Sequence, residues 1–263
     1  MSTQVIDEPR DTVTCAVAPQ AAIELADDAS MTGVIELLLK GQDRLDSLAR
    51  DERRQADLIP RYLAIVLTSF SVYALALVLL LDAAPPQARP ELLRERWASA
   101  GPAPAISLWA AYTLGMIASS GVCLPSFYFF GLLSGVRVSL VQVVGHIMKG
   151  KASTAMMLLG LLPIYVALML GSIVLAAPPD RIETLLLLGL LLPFGAGMWG
   201  VVSIYSGFQG HCDTLPEARR ARRACFLRRL TFAWAALYTI VTPVMIFTIW
   251  DSLSRTLLNL PAW

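Results

Sequence analysis

One stretch of the chain has the glycine spacing of a dinucleotide-binding loop. Gly195-Ala-Gly197-Met-Trp-Gly200 reads GxGxxG, the pattern that lets a backbone turn approach a pyrophosphate. Such a site needs a strand before the glycines and a helix opening after them. Here the glycines lie inside a long apolar run, so we interpret them as helix-packing residues.

A second group has side chains that bind zinc. Imidazole, carboxylate and thiolate groups occur together at His211, Asp213 and two cysteines, Cys212 and Cys225. Their spacing matches no recurrent zinc pattern, and six nearby arginines oppose a dication. We therefore predict no metal and no other cofactor.

Prolines inside the apolar runs give the best indication of a functional path. A proline within a helix removes one backbone hydrogen bond and kinks the helix, and broken helices bind substrates in some transporters. Membrane helices also tolerate proline without any such role, so kinked packing alone is the competing interpretation. The predicted kinks are at Pro125, Pro163, Pro193 and Pro243.

Small residues four apart in the same runs predict close helix packing. They let helix backbones approach where no hydrophobic force drives association. The predicted packing residues are Gly131, Gly135, Gly171, Ala196, Gly200 and Gly207.

No ionisable side chain is expected in the middle of any span. Coupled carriers keep such groups inside the membrane, and intramembrane hydrolases need a catalytic set at that depth. We therefore predict that the chain is not an enzyme, and ion-coupled transport is disfavoured.

The elements that hold these residues are five runs without Asp, Glu, Lys or Arg. The chain has 263 residues, 56% hydrophobic, with a mean hydropathy of +0.61. A helix needs about 20 apolar residues to cross a bilayer. We therefore predict an all-α integral membrane protein, a five-transmembrane-helix bundle with an N-terminal cytosolic amphipathic helix. The spans are predicted at 62–81, 105–133, 152–177, 184–208 and 230–250.

The distribution of positive charge predicts the topology. With five spans and the N-terminus inside, 16 of the 21 Lys and Arg residues lie on the cytosolic side. Splitting the 40-residue run 97–136 into two spans would reverse that excess, so we expect it to cross once and the C-terminus to lie outside. Residues 137–151 are expected to form a basic surface helix. The cytosolic loop between the last two spans is expected to touch anionic headgroups through Arg219, Arg220, Arg222, Arg223, Arg228 and Arg229.

The segment before the first span divides in two. Residues 1–30 are acidic and lack a helical period, which predicts a disordered tail. Residues 31–60 carry Ile35, Leu38 and Leu39 at helical spacing with basic residues around them, which predicts the amphipathic helix, ending near Pro60. The membrane domain is then 61–263. The preference for Arg over Lys suggests a bacterial genome and hence the inner membrane.

N-in topology, five spans and a cytosolic N-terminal region together resemble Yip1-type membrane proteins. The stretch 121–135 with the later Leu-Leu-Gly160-Leu-Leu-Pro163 is also similar to uncharacterised bacterial multi-span proteins. The resemblance implies a non-enzymatic adaptor, and no functional residue carries over from it.

These observations favour a scaffold, anchor or accessory subunit for partner proteins. The partners expected are the lipid bilayer with its anionic headgroups and a protein partner or second copy, with no nucleic acid. The alternative is a channel or permease subunit that uses the proline-kinked spans. A lipid-active enzyme with His146 or His211 as base is a third possibility, ranked last because carboxylate partners are few.

Overall fold

The computed structural model describes residues 30–40, 52–97, 103–133, 139–212 and 217–258. All regular structure in these ranges is helical. The helices are α1 (Met31–Lys40), α2 (Glu52–Ala83), α3 (Glu91–Trp97), α4 (Ala103–Leu133), α5 (Leu140–Val174), α6 (Pro179–Cys212) and α7 (Glu217–Leu258). The predicted tail 1–29 lies outside the described residues.

Five of these helices are long and apolar enough to cross a membrane. The candidate spans are Ala56–Ala83, Ala103–Phe129, Leu140–Val174, Pro179–Tyr205 and Arg228–Thr256. The predicted all-helical class and number of spans are therefore confirmed on length and composition. The 40-residue uncharged run contributes one candidate span in α4, as the charge distribution indicated.

Helix α1 covers the first ten residues of the predicted amphipathic segment 31–60, and residues 41–51 lie outside the described ranges. Val34, Leu37 and Leu38 are buried against the helix bundle, whereas Leu39, assigned to the same stripe, is 63% exposed. Residues 52–60 belong to α2, which continues through Pro60 instead of ending there. A proline near the start of a long helix removes only one hydrogen bond, and the turns that follow hold the helix together.

The connection between α2 and α4 is closed by two arginines. Arg89 donates from Nε to the Leu81 carbonyl at 3.0 Å and from Nη2 to the Asp82 carbonyl at 3.1 Å. These bonds satisfy carbonyls that the end of a helix leaves without an intrahelical donor. Arg94 donates to the carbonyls of Gln87 and Arg89, each at 3.1 Å.

Helix α5 is one continuous helix of 35 residues that begins at Leu140. A capping box starts it: the Ser139 hydroxyl accepts from the Gln142 backbone N–H, and the Gln142 side chain accepts from the Ser139 N–H. The prediction of a separate surface helix over 137–151 was wrong for residues 140–151. They form the first three turns of α5.

The predicted arginine loop is also largely helical. Helix α7 begins at Glu217, so all six arginines lie in its first four turns rather than in a loop. Arg228 and Arg229 are exposed. The remaining loop between α6 and α7, residues 213–216, lies outside the described residues.

The five long helices pack in a defined order. Helix α4 lies chiefly against α7, and α5 lies between α2 and α6. One apolar core joins α2, α4, α5 and α6 along their length and includes Phe70, Tyr73 and Met116, and a second core is built around Trp234. Large apolar side chains also cover the outward faces, such as Leu79, Ile164 and Ile240, each at least 60% exposed. An apolar outer surface is typical of a bundle surrounded by lipid.

Helices α5 and α6 cross where two glycines face each other. A Cβ at Gly150 would lie 2.9 Å from the Gly200 carbonyl oxygen, and one at Gly200 would lie 2.6 Å from the Gly150 carbonyl oxygen. Only residues without a side chain permit this backbone contact. This contact fixes the position of α5 along the axis of α6.

We expect Gly200→Ala to destabilise the bundle by about 1–3 kcal/mol, because the added methyl meets backbone that cannot rotate away. Gly195→Ala is the matched control, since a Cβ there meets nothing within 4 Å. Thermal unfolding of both variants in the same detergent measures the difference. Equal midpoints for the two variants would show that the crossing is not tight.

Candidate functional site

The middle of the bundle is formed by the first half of α5. Of the eleven residues 145–155, ten are buried, so this segment is surrounded on every side. Most are small, but His146, Lys149 and Lys151 are not, and they are 2%, 2% and 7% exposed. Burial of three basic side chains in one segment of a candidate span requires polar surroundings.

Lys151 has the best-defined of these surroundings. Its Nζ donates to the Met116 backbone carbonyl at 3.0 Å and also to the Tyr238 hydroxyl. Nζ lies 3.9 Å from the centroid of the Tyr238 ring and 5.9 Å from that of Phe70. Nζ therefore joins α5 to α4 and α7 by hydrogen bonds and lies at the hydroxyl edge of the Tyr238 ring.

Ser119 and Trp234 complete a small polar network around Tyr238. The Tyr238 hydroxyl donates to the Met116 carbonyl at 3.2 Å, and Ser119 Oγ lies 3.1 Å from that hydroxyl and 3.2 Å from that carbonyl. The Tyr238 ring stacks on Trp234 with centroids 5.5 Å apart. Trp234 in turn donates from Nε1 to the Cys123 carbonyl at 3.0 Å. Hydrogen bonds at its hydroxyl and stacking of its ring on Trp234 therefore fix the Tyr238 side chain.

Lys151 is the twelfth of the 35 residues of the candidate span Leu140–Val174. Two of its neighbours, Phe70 and Met116, are within one residue of the centres of the candidate spans Ala56–Ala83 and Ala103–Phe129. The expectation that the candidate spans hold no ionisable group away from their ends is therefore wrong for Lys151. The uncharged run was counted from residue 152, whereas the helix that carries it begins twelve residues earlier.

A cavity of about 30 Å³ opens beside Lys151. It lies among α4, α5, α6 and α7. Its polar lining comes from Lys151, Thr154 and Tyr238, and Pro193 and Gly197 contribute to the α6 wall. A cavity of about 10–15 Å³ accommodates one water molecule. The cavity therefore accommodates only a small group.

A second polar cluster compensates for the proline in α6. Pro193 has no N–H, so the Gly189 carbonyl four residues earlier has no helical donor. Tyr73 donates to that carbonyl at 2.6 Å, and Tyr112 donates to the neighbouring Leu190 carbonyl at 3.0 Å. The Tyr73 hydroxyl from α2 thus supplies the donor that Pro193 lacks, and the Tyr112 hydroxyl from α4 adds a hydrogen bond at the next carbonyl. The segment of α6 that lines the Lys151 cavity is therefore hydrogen-bonded to both α2 and α4.

We expect Tyr73→Phe to cost about 1–3 kcal/mol, because it leaves the Gly189 carbonyl buried without a donor. Tyr128→Phe is the control at a half-buried ring whose neighbour is Phe129. Chemical unfolding of both variants in detergent gives the comparison. A Tyr73→Phe variant as stable as wild type would show that the kink needs no external donor.

The other predicted kinks lie away from the site. Pro125, Pro163 and Pro243 are inside α4, α5 and α7, and all three are exposed on the outer face of the bundle. Of the four prolines, only Pro193 is buried and lines the cavity.

The predicted packing residues are distributed unevenly. Ala196 is buried, and Gly200 forms the crossing with Gly150. A Cβ at Gly171 would meet nothing within 4 Å. Gly131 and Gly207 lie in α4 and α6, but their surroundings are outside the described part of the chain, as is Gly135.

The residues first considered for metal or nucleotide chemistry do not meet in the described structure. Gly195 and Gly197 lie within α6, with no strand before them and no contact that a Cβ would disturb. Within the described ranges, no three His, Cys, Asp or Glu side chains form a group that could hold a metal ion. Asp213 lies outside those ranges.

Comparison with known proteins found no matching family model, curated protein or solved structure. The resemblance to Yip1-type proteins therefore stays a prediction.

Sequence reasoning missed Lys151, Tyr238 and the tyrosines at the kink. A signal was available for the lysine: Ser139-x-x-Gln142 is a capping box, and no proline follows until Pro163. Reading the helix from Leu140 would have placed Lys151 inside it. No sequence signal indicated that Tyr73 and Tyr112 would meet the α6 kink, because their partners are 116 and 78 residues away.

Proposed function

We propose that this protein is a membrane transport protein, a channel or permease subunit whose five long helices cross the bilayer. The observation that carries the proposal is Lys151, which is buried inside the candidate span Leu140–Val174 beside a small cavity that also receives the hydroxyls of Thr154 and Tyr238. An ionisable group inside a membrane domain is expensive and usually marks the path of a substrate or ion.

A purely structural role explains Lys151 less well. A buried charge contributes little net stability, because the cost of removing it from water offsets what its partners return. The Met116 carbonyl also has Tyr238 and Ser119 beside it, so the network remains connected without the lysine. A group that stability does not require is better explained by a function.

The structure weakens the argument for a scaffold, which depended on α1 as a docking surface for a partner. The apolar face of α1 packs on the bundle through Val34, Leu37 and Leu38 and so is not free for a partner. The alternative of a channel or permease subunit that uses proline-containing spans is better supported, since Pro193 lines the Lys151 cavity. We retain the proposed orientation, with the N-terminus in the cytosol of a bacterial inner membrane, on the charge distribution.

The test is solute entry into liposomes that contain the purified protein. Light scattering after an osmotic step, with a panel of neutral and ionic solutes, should show entry of at least one solute above protein-free liposomes. Gly195→Ala should match wild type, whereas Lys151→Met should lose the added entry. Protein-containing liposomes that match empty ones for every solute would contradict a transport function.

A scaffold remains the second candidate because Arg228 and Arg229 are exposed at the start of the last candidate span. Chemical crosslinking in cells should then capture a defined protein partner. Replacing both arginines by glutamine should remove that partner while the thermal midpoint stays unchanged. Partner capture that persists in the double variant would exclude this surface.

A further inference from the structure

We propose that the Lys151 cavity binds small inorganic monovalent anions and that these are the substrate of the pathway. This inference rests on the proposed transport function and adds the class of substrate. It depends on three properties of the site: its charge, its hydrogen-bond donors and its size.

When Lys151 is protonated the site is positive, and among the described residues no carboxylate neutralises that charge. An ammonium group has three N–H donors, and the described structure gives Nζ two acceptors, the Met116 carbonyl and the Tyr238 hydroxyl. Both are neutral, and no carboxylate in the described ranges lies within ion-pair distance of Nζ. A buried cation with only neutral partners attracts an anion and repels a cation, and low polarity around it strengthens both effects.

The donors around the cavity can turn towards an anion. Thr154 Oγ1 now donates to the Gly150 carbonyl at 3.0 Å, a local bond within α5 that a rotation of the side chain exchanges. The Tyr238 hydroxyl also lines the cavity, and its proton, now donated to the Met116 carbonyl, can turn towards an anion while Ser119 takes its place at that carbonyl. Together with Nζ they supply O–H and N–H groups from two helices, and a halide or similar anion accepts hydrogen bonds from such groups.

The size of the cavity limits the ligand. About 30 Å³ suits an ion comparable to one or two water molecules and excludes an organic acid of several carbons. The Gly150–Gly200 crossing fixes one wall by backbone contact, so that wall cannot widen by a change of rotamer. Pores that select anions also use Lys or Arg side chains within the pathway, and a small lysine site fits that chemistry.

Ion selectivity in liposomes tests the inference. Reversal potentials are measured in gradients of potassium chloride and potassium gluconate for wild type, Lys151→Arg, Lys151→Met and Lys151→Glu. We expect wild type to conduct chloride but neither potassium nor gluconate. Lys151→Arg should keep that preference, Lys151→Met should lose chloride flux by about tenfold or more, and Lys151→Glu should shift the preference towards potassium.

The controls separate this inference from the proposed function. Arg228→Gln removes an exposed charge outside the cavity and should leave selectivity unchanged. A cooperative thermal transition at or above the wild-type midpoint shows which variants are folded. Flux of neutral solutes or cations with no chloride flux would overturn the anion assignment and leave transport intact. Chloride flux that is equal in wild type and folded Lys151→Met would also overturn it. No flux of any solute would overturn both.

Discussion

Lys151→Met is expected to leave the bundle as stable as wild type or to stabilise it by about 1–3 kcal/mol. Methionine has a similar length and an unbranched apolar chain that fills irregular space. The substitution removes a buried cation, while Tyr238 still donates to the Met116 carbonyl. That result would favour a functional role for Lys151 over a structural one, because replacing the lysine does not weaken the fold.

Unfolding of wild type and Lys151→Met in the same detergent measures this effect. Lys151→Ala is a useful companion, since it removes the charge and also leaves space, so it should be less stable than Lys151→Met. A fall of more than about 1 kcal/mol in Lys151→Met would show that the lysine is a structural link between α4, α5 and α7.

Trp234→Ala is expected to cause the largest loss of stability among single changes near the site, about 3–5 kcal/mol. Trp234 is 2% exposed, packs on Phe127 with ring centroids 4.9 Å apart and stacks on Tyr238. Removing the indole empties the second core between α4 and α7. It also releases the Tyr238 ring, whose hydroxyl contacts Lys151.

Trp199→Ala is the control because that indole is 58% exposed on the outer face of α6. Its loss should change the midpoint of unfolding little, since lipid or detergent replaces the contact. A Trp234→Ala variant as stable as Trp199→Ala would contradict the packing of the second core. Trp234→Phe should recover part of the stability but not the hydrogen bond to Cys123.

The span count could be predicted because it depends on length and apolar composition alone. The single candidate span in run 97–136 also followed from sequence, since Gly101, Pro102 and Pro104 occupy its start and the charge distribution favours one span over two. The number of spans and the position of this one depend only on neighbouring residues and on sums of charge along the chain, so they could be obtained without knowing any tertiary contact.

The site could not be predicted from the same information. Absence of charge marks lipid-compatible sequence, but Lys151 is paired by α4 and α7, so a charge count starts the predicted span twelve residues after the helix begins. Pro193 was identified as an interruption, yet the hydroxyls that donate to the carbonyls before it, those of Tyr73 and Tyr112, come from other helices. Such partners depend on tertiary packing, which helical periodicity does not specify.

Lysine labelling offers the most direct test of where Lys151 lies. The chain has only three lysines, Lys40, Lys149 and Lys151. A membrane-impermeant amine reagent is applied to open membrane fragments with both faces accessible, and the modified residues are read by mass spectrometry. We predict that Lys149 and Lys151 react only after the protein is unfolded, because both are buried in the middle of the bundle. Rapid labelling of Lys151 in the folded protein would instead place it at the membrane surface and contradict the account.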